Sequence, residues 1–287
     1  MRIGFMMNYD RERLEFAKRS GFRCAELMAG PGDGYFPGDP GWEAKVDELK
    51  ATFADMDIRI SCVASFYINH MDPETEKAAS DTVRKSIELA RLLDVGVVAG
   101  FAGRLVNQPL EASLPKFKEI WGGHAKFAED HNVKIAFENC PMGAVGTPSN
   151  GNNMMCTPHI WERAFDEVDS PALGLEWDPS HLISMFIDPA ANLRKFGPKV
   201  YHVHAKDAHV YDFVVSEYGI HHSGAIEGSF PGLGDTDWGA CIKELRRAGY
   251  TNDLNVEGWH DHVFSGPLED EGLIVSLRHL EQWVPQD

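Results

Sequence analysis

Short apolar runs alternate with longer amphipathic stretches along almost the whole chain, and this alternation constrains the fold more than any other feature. A short apolar run bounded by turn formers reads as a buried strand, whereas apolar residues three or four apart read as a helix covering one side of a sheet. The strand candidates are Ile3 to Met7, Cys24 to Leu27, Ile58 to Ala64, Val95 to Phe101, Val133 to Phe137, Leu173 to Trp177, Val200 to His204 and Leu254 to Glu257. Between them lie helical stripes such as Val83, Ile87, Ala90 and Leu93, or Leu273, Leu277 and Leu280. Strands that alternate with helices form parallel sheets. Eight such units predict a (β/α)8 TIM barrel, one domain over residues 1–287, close to the roughly 250 residues typical of that fold. Gly21 after the first helix, Asp94 before the fourth strand and Gly249 before the last supply the expected punctuation.

Composition narrows the partners. A formal charge of −17 repels phosphate backbones and anionic lipid, so neither a nucleic acid nor a membrane is expected. The five cysteines, Cys24, Cys62, Cys140, Cys156 and Cys241, are widely spaced with no Cys-x-x-Cys pair, which fits a reducing cytoplasm better than a disulfide framework. The N-terminal segment meets charges too early for a signal peptide, and no stretch approaches the roughly 20 apolar residues of a membrane span. Self-association is left open.

Two segments break the rhythm. Pro141 to Pro158 is rich in Gly, Asn and Pro and reads as a long loop after the fifth strand; Ala208 to Trp238 reads as a longer one after the seventh. Loops that follow strands build the active site of an α/β barrel, so both point to function. The second is expected to cover the pocket mouth.

The last four strands each deliver a residue that can ligate a metal. Glu138, Asp178, His204 and Glu257 stand at or just beyond the strand ends, 40, 26 and 53 residues apart in turn. In a closed parallel barrel these ends meet on one rim. Three carboxylates massed there would repel one another, which makes a cation their natural partner. The oxygen-rich set with one imidazole suits Mn²⁺ best, with Mg²⁺, Co²⁺ and Zn²⁺ as alternatives.

With these motifs in place, the chain resembles the xylose-isomerase-like barrel superfamily, in the sugar phosphate isomerase/epimerase branch. The resemblance runs over the whole length. It rests on Glu138-Asn139, Asp178-Pro-Ser-His181, His202-Val-His204-Ala-Lys206-Asp207, Pro231-Gly-Leu-Gly234-Asp-Thr-Asp237-Trp238 and Val256-Glu257-Gly258. It implies that Glu138, Asp178, His204 and Glu257 hold one divalent cation, that Glu138 and Glu257 also act as acid and base, and that Lys206 and Asp207 lie near the substrate. His181, three residues after Asp178, would turn back towards the site. His202 shares a face with His204 and reads as barrel core. Trp259, His260 and His262 are candidates to line a pocket for the C–H faces of a sugar.

These residues predict proton transfer on a small, unphosphorylated, sugar-like substrate. A hydroxy ketone held by two oxygens beside a cation has a more acidic C–H; one glutamate can remove that proton and the other return it, which is epimerisation at C3 of a ketose. The long loops leave room for a bulkier substrate, and the alternative is a lyase or dehydratase eliminating from a keto-sugar or 3-keto-glycoside. An apurinic endonuclease would need more histidines and a basic groove, and a noncatalytic barrel would have no use for the four ligands.

Overall fold

A computed structural model describes residues 1–143, 151–258 and 260–286. Eight parallel strands close into a barrel: β1 (Ile3–Asn8), β2 (Cys24–Met28), β3 (Arg59–Phe66), β4 (Val97–Gly100), β5 (Lys134–Glu138), β6 (Leu173–Trp177), β7 (Val200–Ala205) and β10 (Leu254–Val256). Closure is made by β10 against β1, with Ile3 opposite Leu254.

Each strand returns to the sheet through helical structure. The principal helices are α1 (Arg11–Ser20), α2 (Trp42–Met56), α3 (Glu76–Leu92), α4 (Leu114–Asp130), α5 (Pro158–Glu167), α7 (Pro189–Phe196), α9 (Trp238–Arg247) and α10 (Glu269–Glu281). The stripe on α3 is buried as its spacing predicts, Val83, Ile87 and Ala90 each at 0% exposure. Local chemistry sets the helix ends. Asp10 caps α1 by accepting from the Glu12 amide, and Gly21 ends it at φ 104°, a backbone state that costs glycine nothing. Asp94 and Gly249 also take positive φ at their junctions.

The apolar core forms the annulus between strands and helices. Inside the barrel, Cys62, Val97, Ala99 and Ala136 form a small second apolar cluster. Beside it lies a polar layer, with Glu26, Glu176, His202 and His204 all essentially unexposed. A barrel interior is ordinarily packed with bulky branched side chains, so a polar layer here needs its own account.

The segment expected as a loop from Ala208 to Trp238 is structured. It begins one residue earlier as β8 (Asp207–Val210), which pairs antiparallel with β9 (Ile226–Ser229) around a short helix, α8 (Asp212–Tyr218). Pairing Val210 with Ile226 and His209 with Glu227 satisfies backbone groups that an irregular loop would leave to water. In the loop after β5 the described ends are tied by Asn153, which donates to the carbonyls of Glu138 at 2.8 Å and Cys140 at 2.7 Å; the centre of the predicted loop lies outside the described residues.

Candidate active site and metal centre

The C-terminal strand ends bring Glu138, Asp178, His204 and Glu257 together. One ligand atom from each lies within 4.8 Å of all the others, and all four residues are buried. Strand geometry explains the meeting. Glu138 ends β5, Asp178 directly follows β6, His204 lies near the end of β7, and Glu257 follows β10.

Asn139 locks two of these ends together: its Oδ1 accepts from the Asp178 amide at 2.7 Å and its Nδ2 donates to the Asp178 carbonyl at 2.9 Å. Asp178 then caps α6 (Pro179–Ile183), where its Oδ1 accepts from the Ser180 amide at 2.7 Å. Its other oxygen, Oδ2, and Oε2 of Glu257 are buried and make no well-aligned hydrogen bond among the described residues, although each faces a nitrogen, His181 Nε2 at 3.3 Å from the first and Lys206 Nζ at 3.2 Å from the second. Three buried carboxylates and an imidazole whose ligand atoms converge, two of those oxygens lacking an aligned donor, fit the donor set to a cation.

The surrounding charges act on this cluster in opposite directions. Burial pushes the Asp178 carboxyl above its ordinary range. Burial also works against ionisation of Glu257, but Lys206 and His204 outweigh it and hold the carboxyl low. Glu138 is lowered against its burial by the hydrogen bonds of His181 and His204. The His181 ring is raised despite burial because Asp178 stands beside it, with Nε2 at 3.3 Å from Asp178 Oδ2 and 3.6 Å from Glu138 Oε1. Lys206 is raised in the same way, chiefly by Glu257, whose Oε2 lies 3.2 Å from Nζ.

A cavity of about 450 Å³ opens over the cluster. One wall is apolar, made by Met6, Met28, Tyr67 and Phe101; the other presents His181, Lys206 and His260 with Glu138 and Glu257. His260 Nδ1 lies 2.8 Å from Lys206 Nζ. Since an ammonium can only donate, His260 Nδ1 is the acceptor. Ala208 and Gly228 of the β8–β9 hairpin complete the wall, so the insertion does reach the pocket. A larger groove of about 640 Å³ lies at the opposite strand ends, near Lys134, Tyr201 and Asn252, but holds none of these ligands.

Other expected residues lie elsewhere. Asp207 does not line the cavity: its carboxylate faces the following turn and accepts from the amides of Ala208, Gly232 and Thr236 and from the Trp238 indole. His262 is exposed and does not line the cavity. Trp259 lies outside the described residues. His202 lies in the barrel interior as its alternation with His204 predicts, but in polar company, with Nε2 3.0 Å from Glu26 Oε2.

Glu26, Glu176 and Tyr67 escaped the sequence reading. Tyr67 donates to Glu176 Oε2 at 2.9 Å and lines the cavity. The available signal was the presence of single carboxylates within CAELM and LGLEW, strands otherwise apolar. A sheet covered on both faces has no exposed position for such a charge.

The chain belongs to the xylose isomerase-like TIM barrel family, whose sequence model matches residues 14–283. A 3-dehydroshikimate dehydratase of Pseudomonas putida is 29% identical over 278 residues, covering 94% of this chain but only 40% of that protein's length. An inosose dehydratase of Clostridium tetani is 26% identical over 244 residues, 79% of this chain and 77% of that one. Among solved structures, D-psicose 3-epimerase from Clostridium cellulolyticum, in complex with D-tagatose, shares the fold at a TM-score of 0.72 over 99% of each chain, with 16% sequence identity.

Proposed function

We propose that this chain is a divalent-cation-dependent enzyme acting on a small polyhydroxylated ketone, and that its reaction is the elimination of water. The observation that carries the reading is the meeting of Glu138, Asp178, His204 and Glu257 within 4.8 Å on the wall of a cavity that also presents His181 and Lys206. A cation held by those four residues, Mn²⁺ before Mg²⁺, Co²⁺ or Zn²⁺, would polarise the ketone and a neighbouring hydroxyl oxygen. Among the described lining residues Lys206 is the only lysine or arginine, which favours an unphosphorylated substrate.

The protein's own groups divide the proton work. Lys206, 3.2 Å away, keeps Glu257 ionised and able to take the proton from the carbon beside the ketone. The released electron pair becomes the new C=C bond as the C–O bond to the β-hydroxyl breaks. His181, held protonated by Asp178, gives its proton to the departing oxygen, so water and an unsaturated ketone result. Two sequence relatives spanning most of the chain, both named dehydratases, support elimination. A second reading, epimerisation of a ketose, is favoured by one observation: Glu138 and Glu257 both reach the same cavity, as base and returning acid require.

The test is turnover in heavy water with Mn²⁺-loaded protein and three substrates: an inosose, 3-dehydroshikimate and a ketohexose. Elimination gives an unsaturated ketone absorbing in the ultraviolet; epimerisation instead leaves deuterium at the inverted carbon. Glu257→Gln should slow either reaction about 10²- to 10⁴-fold. A native rate in that variant would remove Glu257 from the mechanism.

A further inference from the structure

Of the five cysteines only Cys140 is not buried, and it lines the cavity. It stands two residues beyond Glu138, the spacing that repeats one face of a strand. Its backbone is fixed there, because the Cys140 carbonyl accepts from Asn153 Nδ2 at 2.7 Å. His181 reaches the same place from α6, where it follows the capping Asp178 by three residues and so shares that residue's side of the helix.

These side chains converge. One donor atom each from Glu138, Cys140 and His181 lies within 4.8 Å of the other two, and the elimination proposed above leaves the thiol without a task. Glu138 Oε1 stands between two imidazoles, 3.4 Å from His204 Nδ1 and 3.6 Å from His181 Nε2. Tetrahedral zinc, with bonds of about 2.0–2.3 Å, sets neighbouring donors roughly 3.3–3.8 Å apart, and Glu138 and His181 already have that spacing. His181 Nε2 makes no well-aligned hydrogen bond among the described residues. Neither does Oδ2 of the wholly buried Asp178, which faces that nitrogen from 3.3 Å.

We propose that Cys140, His181 and Glu138 form a second cation position beside the four-ligand one, with Glu138 shared between the two. The positions differ in chemistry. Three carboxylates and one imidazole favour a hard ion such as Mn²⁺, whereas a thiolate, an imidazole and a single carboxylate favour zinc. Three protein ligands leave the fourth place on a tetrahedral ion open to water or substrate. An ion on His181 Nε2 takes the place of the proton that this ring gives to the leaving group, so zinc in the second position stops turnover. That consequence rests on the elimination reading; the binding does not.

The test is Co²⁺ titration of full-length, metal-free protein under reducing conditions, because Co²⁺ substitutes for zinc and its bond to a thiolate absorbs strongly in the near ultraviolet. Native protein should bind two equivalents, one of them bringing that band. Cys140→Ser, shown to be folded by circular dichroism, should lose the band and one equivalent. Alkylation by iodoacetamide puts the same question to the native chain without a variant: zinc should slow modification of Cys140, read by peptide mass, since the ion holds the thiolate that would react. Absence of the band in native protein, its persistence in Cys140→Ser, or alkylation of Cys140 unslowed at saturating zinc overturns the second position. One equivalent with the band in native protein and none in Cys140→Ser upholds it, while the four-ligand reading fails.

Discussion

Replacing Asp207 by Asn should destabilise the protein by about 2–6 kcal/mol, a figure that follows from how its two oxygens are used. Oδ1 accepts from the Ala208 and Thr236 amides, both at 3.0 Å; Oδ2 accepts from the Gly232 amide and the Trp238 indole, both at 3.2 Å. An asparagine can keep its oxygen at one of these positions. The other then becomes an NH₂ group facing two donors, and each buried donor so orphaned costs about 1–3 kcal/mol. Relaxation is restricted, because the turn wraps the carboxylate so tightly that a Cβ built on Gly234 would lie 2.4 Å from Asp207 Oδ1. Urea unfolding of native and variant protein measures the loss, and hydrogen exchange at residues 230–238 should locate it. A loss below about 1 kcal/mol together with a raised KM would refute the reasoning and return Asp207 to the substrate-binding role its position beside Lys206 suggests.

Two further outcomes follow from burial and packing. His70 and His124 are both lowered by burial from 6.5 to about 4. The unfolded chain therefore takes up their protons first as the pH falls; this stability is complete above pH 6.5 and is lost between 6.5 and 4, by about 3 kcal/mol per ring. The slope of unfolding free energy against pH in that window should shrink in His124→Gln, and an unchanged slope would count against it. Gly4→Ala would place a Cβ 2.0 Å from the Cys24 carbonyl oxygen, backbone that can yield only if β1 and β2 separate. It should lower stability by about 3 kcal/mol or more in thermal unfolding, against a small effect for Gly96→Ala, where nothing lies within 4 Å. Equal melting of the two variants would contradict this.

The barrel was legible because its signals are local: a run such as VYHVHA or LGLEW shows its strand character within five or six residues. The β8–β9 hairpin was not, because its pairing joins residues 207–210 to 226–229 across a helix, and no short window contains both partners. The four converging ligands were legible for the same reason as the strands, since each stands at the end of one. What adjacency concealed is the pleat. Successive residues of extended chain point to opposite faces, so Lys206 turns to the cavity while Asp207 turns to the following turn, although the two are neighbours in sequence. The same alternation would have disclosed the buried layer. Glu176 stands two residues before Asp178, as His202 stands two before His204, and each earlier residue therefore lies one step deeper on the inward face. The polar interior is thus the continuation of the ligand cluster down the barrel, which explains why small and charged side chains occupy space that branched apolar ones ordinarily fill.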